Sequence, residues 1–433
     1  MADARRWELD TKPLNTVYQG LVNRASTLTS FTLRCQTRRI PRPTTIISPM
    51  PNLRTLVVYD IDPLCYPDDI SLLLRSATKL ENLKLHWSRR MRDAGEESVN
   101  LMSIFARSVS ANVSLPIKRL AIHNLYTRFM GDESENVINI NCQEEVTLFN
   151  SMGSSDPMTV FVDDAWRVKS NTRPMPRNLK MFRTDHADKE LAFGFTRFNG
   201  LERLYLVSKR TKEVSNATST VASPSTPLAA TPGFANGTAS LHNTPNPTER
   251  QCRSIGSEYL AVIQSHHRGM RHLLLSDQWQ VSDTALFKLC QSCPNLEQLG
   301  FSCIVPPLES LRQIVSLTPK LWALRMLVRP GSEFAETIAT MDPEMHGFVL
   351  ATEFWRPEYK NLKYIGFGDK IVFKLGRVVF PPKSAPSIPE GQENSLNAKR
   401  AGPIRKIEIV SRESVKWIEI WGLDTTEFDP NFP

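Results

Sequence analysis

One short pattern recurs along this chain: an apolar residue, two others, an apolar residue, one other, an apolar residue. It begins at Leu28, Leu53, Leu80 and Ile117, and returns at Leu201, Met270, Leu296, Leu321, Leu362 and Ile404, with a weaker copy at Leu179 and Phe182. The openings at 28, 53 and 80, and again at 270, 296 and 321, lie 25 to 27 residues apart. A fixed period of this size is the mark of stacked supersecondary units. Two intervals are too long for one unit, 117 to 179 and 201 to 270, so each holds either a degenerate repeat or an insertion.

The last three positions of the pattern alternate, as a strand with one buried face requires. Pro and a polar residue often come just before, in PNL at 51, PNL at 294 and PKL at 319, which suits the turn ahead of a strand. Between the patterns, apolar residues fall at helical spacing over 69–77, 99–109, 259–264 and 308–317. Each unit is thus a strand and a helix, too small to bury its own apolar face and stable only when stacked.

Cys290-Gln-Ser-Cys293 raises the question of chemistry. A zinc site needs a second such pair or a Cys/His pair at ligand spacing, and His266, His267 and His272 do not supply it. A redox dithiol belongs at the start of a helix, where the dipole lowers a thiol pKa, whereas this pair closes one. Packing between neighbouring units is the expected role. Asp185, His186 and Asp188 read as a polar turn. No phosphate-cradling glycine loop, nucleophile elbow or His-Glu-x-x-His occurs, so the chain reads as non-enzymatic, with no cofactor and no metal.

The stretch Val281-Ser-Asp-Thr-Ala-Leu-Phe-Lys-Leu289, followed by Cys293-Pro-Asn-Leu296, resembles the cysteine-containing leucine-rich repeat. The resemblance implies an α/β solenoid: a right-handed horseshoe with parallel strands on the concave face and helices outside, irregular with inserted loops. It also implies a concave wall bearing Arg34, Lys84, His86, Arg119, His123, Arg183, Arg203, Tyr205, His272, Arg325, Tyr364 and Lys406. Trp417 and Trp421 would stand on a last strand, VKWIEIW, and the acids in equivalent places would be Asp185, Glu408 and Glu419. Arginine pairs bidentately with carboxylate or phosphate and aromatic rings supply anchors, so this wall suits an acidic or phosphorylated protein segment.

The expected organisation is an N-terminal repeat segment over 1–212, a Ser/Thr/Pro-rich disordered insertion over 213–250, a C-terminal repeat segment over 251–425 and a tail over 426–433. A second flexible insertion covers 381–403, and 371–380 read as a short hairpin just before it. Seven cysteines at irregular positions in 433 residues do not make a disulfide framework. With no signal or membrane segment in view, an intracellular protein, cytoplasmic or nuclear, is expected. The +8 charge is scattered without a basic run, which gives nucleic acid little to hold.

Residues 50–64 and 267–299 also resemble the leucine-rich tails of fungal F-box proteins. That resemblance implies a substrate-binding part of an SCF ubiquitin ligase receptor, with Skp adaptor and cullin as partners only if an F-box lies upstream, since repeats here begin by Leu28. A stand-alone scaffold or a regulator resembling leucine-rich GTPase-activating proteins is the other reading.

Overall fold

The computed structural model describes residues 20–34, 48–61, 67–87, 101–123, 125, 137–149, 178–185, 189–207, 247–277, 279–302, 308–329, 332–369, 371–380 and 402–425. They form an α/β structure whose thirteen strands make one sheet, each hydrogen-bonded to the next in sequence. The strands are β1 (Ser30–Arg34), β2 (Thr55–Tyr59), β3 (Asn82–His86), β4 (Arg119–His123), β5 (Glu145–Phe149), β6 (Met181–Thr184) and β7 (Arg203–Leu206). They continue as β8 (His272–Leu274), β9 (Gln298–Ser302), β10 (Ala323–Leu327), β11 (Tyr364–Phe367), β12 (Ile371–Val379) and β13 (Ile404–Val410). β1 to β11 run parallel, and β12 and β13 close the sheet antiparallel.

Parallel neighbours need a crossover, and the helices supply several: α1 (Pro67–Ser76), α2 (Leu101–Ser110), α3 (Lys189–Phe195), α4 (Pro247–His266), α5 (Asp283–Ser292), α6 (Leu308–Leu317), α7 (Glu333–Thr340) and α8 (Pro343–Glu353). The apolar positions of the sequence pattern on β1 to β11 face this layer, whereas Ile404 and Ile409 of the last copy are exposed. Leu53, Leu56, Leu80, Leu83, Leu296 and Leu299 are 0% exposed, each worth about 2 kcal/mol of burial. Cys290 and Cys293 belong to the same core, with the Cys293 Sγ 3.9 Å from the His267 carbonyl.

Each parallel strand from β2 to β11 begins with one device. The carbonyl of the residue ahead of one strand accepts two consecutive N–H groups from the next unit: Arg54 takes Glu81 and Asn82, Glu81 takes Lys118 and Arg119, and Glu297 takes Trp322 and Ala323. The side chains at these starts alternate in sign, Arg54 to Glu81 at 2.8 Å, Lys118 to Glu81 at 3.6 Å, Lys180 to Glu144 at 3.5 Å and Arg271 to Glu297 at 2.9 Å. Exposed pairs of this kind add little stability.

Several elements differ from expectation. The interval 117 to 179 holds a true unit, β5, hidden because Gln143 stands where the first apolar residue belongs. In the interval 201 to 270 no further strand enters the sheet among the described residues: Arg203 pairs directly with His272. Residues 371–380 are not a hairpin; Ile371–Val379 form one strand that runs through Gly376 between β11 and β13. Ile404–Val410 is no repeat strand but the antiparallel edge of the sheet. Pro247–Arg250, placed in the insertion by composition, are the first turn of α4. The rest of the 213–250 insertion, most of 381–403 and the 426–433 tail lie outside the described residues. No helix among the described residues is long and apolar enough to cross a membrane.

Candidate functional site

The sheet face away from the helices, here the front face, is built by register. One row crosses the strands as Arg119, Glu145, Met181, Arg203, His272, Gln298, Ala323 and Tyr364, and a second as Lys84, Ala121, Thr147, Arg183, Tyr205, Leu274, Gly300, Arg325 and Gly366. A third carries Arg34, Tyr59, His86, His123 and Phe149. Strand side chains alternate faces, so the expected wall residues on β1 to β11 share this face.

Few of the expected residues stand open: Arg119, Lys406 and Trp417 are exposed. Lys84, His123, Arg183, Tyr205, His272 and Arg325 are all buried. Over β6 to β11 the reason is the chain itself: residues 411–425 fold back across the front face. VKWIEIW is not a strand but a 3-10 turn (Glu413–Val415) followed by a short helix, α9 (Glu419–Gly422). Val415, Ile418, Ile420, Trp421 and Leu423 pack with Met181, Tyr205, Leu274, Ala323 and Leu327 in a second apolar cluster.

Polar contacts fix this segment. Glu419 receives Arg203 Nη1 at 3.1 Å, the Tyr205 hydroxyl and His272 Nδ1. Burial alone would raise the Glu419 carboxyl, but those hydrogen bonds and the Arg203 charge hold it at about 2. The Tyr205 phenol is pushed well up, by burial first and then by Glu419, so it keeps its proton and donates. Arg183 donates from Nε to the Leu423 carbonyl at 2.9 Å and to the Thr425 carbonyl. Arg325 Nη1 donates to the Ile420 carbonyl at 2.7 Å and meets Asp424 Oδ2 at 2.7 Å. Gln298 Oε1 accepts from Ile420 N at 3.1 Å. Trp421 lies against Gly366, with Arg325 5.9 Å from its ring centre.

The other expected residues are placed as follows. Arg34 bonds Asp60 at 3.2 Å, and its guanidinium and the Lys84 ammonium lie 5.1 and 5.3 Å from the Tyr59 ring centre. His86, His123 and Phe149 continue as a run of ring contacts at 5.7 and 5.1 Å, and Arg183 covers Phe149 at 4.7 Å. Burial lowers His86 to about 4, with Asp60 opposing and Lys84 and Arg34 adding to it; burial, Lys84, His86 and Arg183 hold His123 well below its ordinary value. Arg119 reaches Glu145 at 3.5 Å. Trp417 is 64% exposed and stacks on Trp322 at 5.6 Å beside Tyr364. Lys406 stands exposed on β13. Trp421, expected on the wall, belongs to the segment lying on it.

Sequence reasoning missed Glu145, because β5 was hidden, and Gln298, which belongs to no motif. It found Glu419 but put it on a strand. His186 and Asp188 lie outside the described residues. Among the described residues no group of His, Cys, Asp and Glu is arranged to hold a metal ion. No protein-family model matches the chain, and no curated protein matches it.

Proposed function

We propose that the chain is a leucine-rich-repeat recognition module whose concave face binds a protein segment, the substrate-binding part of an F-box-type ubiquitin ligase receptor. The observation that carries this reading is the reception of Glu419. Arg203, Tyr205 and His272, from two adjacent strands, converge on one peptide carboxylate. Arg183 and Arg325 meanwhile take peptide carbonyls, and a glycine makes room for an indole. A wall that holds its own acidic, tryptophan-bearing segment has the chemistry to hold such a segment from another protein.

The test is binding of a fluorescein-labelled peptide of residues 411–425 to the full chain carrying Glu419→Ala and Trp421→Ala, which loosens the resident segment. Saturable anisotropy that is lost on adding Arg203→Ala is the expected result. No binding at any concentration removes the reading. Recovery of a Skp-type adaptor and a cullin with the tagged full-length protein supports the ligase assignment; their absence leaves a scaffold.

A further inference from the structure

β13 is the last strand of the sheet, and its outer side has no strand neighbour among the described residues. Seven residues of extended edge with Ile404 42% and Ile409 47% exposed form a long open template. Proteins ordinarily shorten, twist or cover such an edge.

The direction of its free groups can be read from the ladder. Leu375 N donates to the Lys363 carbonyl, so Leu375 turns its backbone polar groups toward β11. Leu375 is opposite Ile407, and in an antiparallel ladder that makes Leu375 and Ile407 a non-hydrogen-bonded pair. The N–H and C=O of Ile407 therefore face outward, and by alternation so do those of Arg405 and Ile409.

We propose that β13 pairs with β13 of a second copy of this chain, antiparallel about a two-fold axis through Ile407. Ile407 then exchanges both backbone hydrogen bonds with its symmetry mate. The same register sets Lys406 opposite Glu408 of the other copy, twice, and Ile404 opposite Val410. Cross-strand opposite charges are favourable and like charges are not, so the edge is complementary to itself in this register. Lys406 has no ion-pair partner among the described residues, and Glu408 is 68% exposed, 3.6 Å from Lys374.

The helix layer permits the pairing. A Cβ at Gly347 of α8 would lie 3.3 Å from Phe373 and 3.9 Å from Ile407, so α8 rides above the gap between β12 and β13. That gap is half a strand spacing from β13, and the two-fold axis another half, with a spacing of about 4.8 Å. The two α8 helices then stand about 10 Å apart, an ordinary helix-packing distance. α8 also carries Met345, Phe348 and Val349 exposed at 64%, 65% and 45%, an apolar surface that gains a neighbour in the pair.

Sedimentation equilibrium of the full-length protein tests the proposal. The wild type is expected to be a dimer at micromolar concentration. Lys406→Glu sets Glu against Glu, and Glu408→Lys sets Lys against Lys; each alone is expected to be monomeric, with unchanged circular dichroism since both side chains are exposed. An equimolar mixture of the two variants is expected to re-form a dimer, because one copy then presents two acids to two lysines of the other. A monomeric wild type, or a dimer that neither single variant weakens, overturns the proposal.

Discussion

Arg325 and Asp424 meet at 2.7 Å with neither side chain exposed to solvent. The pair joins β10 to the last described turn of the chain. Removing one member of a buried pair strands the other charge, at a cost of about 3 kcal/mol. Asp424→Ala and Arg325→Met are each expected to lower the unfolding free energy read from urea titration by that order, the former less because Asp369 also reaches Arg325 at 2.7 Å. The double variant Arg325→Met with Asp424→Leu is expected to cost less than the sum of the two, since no charge is then stranded. Additive losses in a double-mutant cycle would show that the pair is not coupled.

Gly366 and Gly300 occupy the same front-face row, and a methyl group is expected to act differently at each. At Gly366 an added Cβ meets Trp421 Cζ2 at 2.7 Å, an atom of a rigid, fully buried ring. At Gly300 it meets Leu274 Cδ1 at 2.5 Å, the far end of a side chain that can change rotamer. Gly366→Ala is therefore expected to shift tryptophan emission to the red and speed proteolysis near residue 411, with Gly300→Ala close to wild type. Equal effects would mean that Trp421 does not depend on the bare backbone beneath it.

The repeat was legible because its apolar positions are compelled: Leu56 and Leu83 have no environment but the core, so spacing alone placed the strands. β5 was not legible because Gln143 breaks the pattern at its first position. Trp417 and Trp421 are not on the sheet, whereas the expected wall residues on β1 to β11 share one face, since side-chain alternation is a local rule. What covers them was not legible. VKWIEIW alternates like a strand, yet Val415, Ile418, Ile420 and Trp421 are the buried ones. That order follows from contacts with distant strands, which no local period encodes.

Three histidines, His267, His86 and His123, are expected to weaken the fold in acid. His267 is 1% exposed, its Nε2 lies 3.0 Å from the Phe195 carbonyl, and burial, only partly offset by that bond, lowers it to about 4. His86 is lowered to about 4 and His123 well below its ordinary value, burial being the first cause in both. An unfolded histidine takes up its proton as pH falls through about 6.5, while these folded ones resist until lower pH. The unfolded state then binds more protons, so stability falls between pH 6.5 and 4, by roughly 3 kcal/mol for His267. Glu419 acts elsewhere: held at about 2 from an ordinary 4.5, its contribution is full above 4.5 and lost as pH falls through 2. Urea midpoints are expected to drop from pH 7 to pH 5, and His267→Phe to flatten that slope. A slope unchanged by His267→Phe would assign the acid sensitivity to other groups.

Cys290 and Cys293, the pair that first suggested chemistry, give the last prediction. Both are 0% exposed, and burial pushes both thiols up to about 12, with Cys293 adding to the rise at Cys290. The thiolate is the reactive form and the metal-binding one, so at neutral pH these groups are protonated and shielded. Iodoacetamide followed by peptide mass spectrometry is expected to leave both unmodified in the native protein, to label the half-buried Cys142 before them, and to label both in urea. Cys293→Ser exchanges a packed thiol for a buried hydroxyl and is expected to cost about 1 to 3 kcal/mol without changing metal content. Stoichiometric zinc lost on that substitution would instead make the pair a ligand set, and rapid native labelling would place it outside the core.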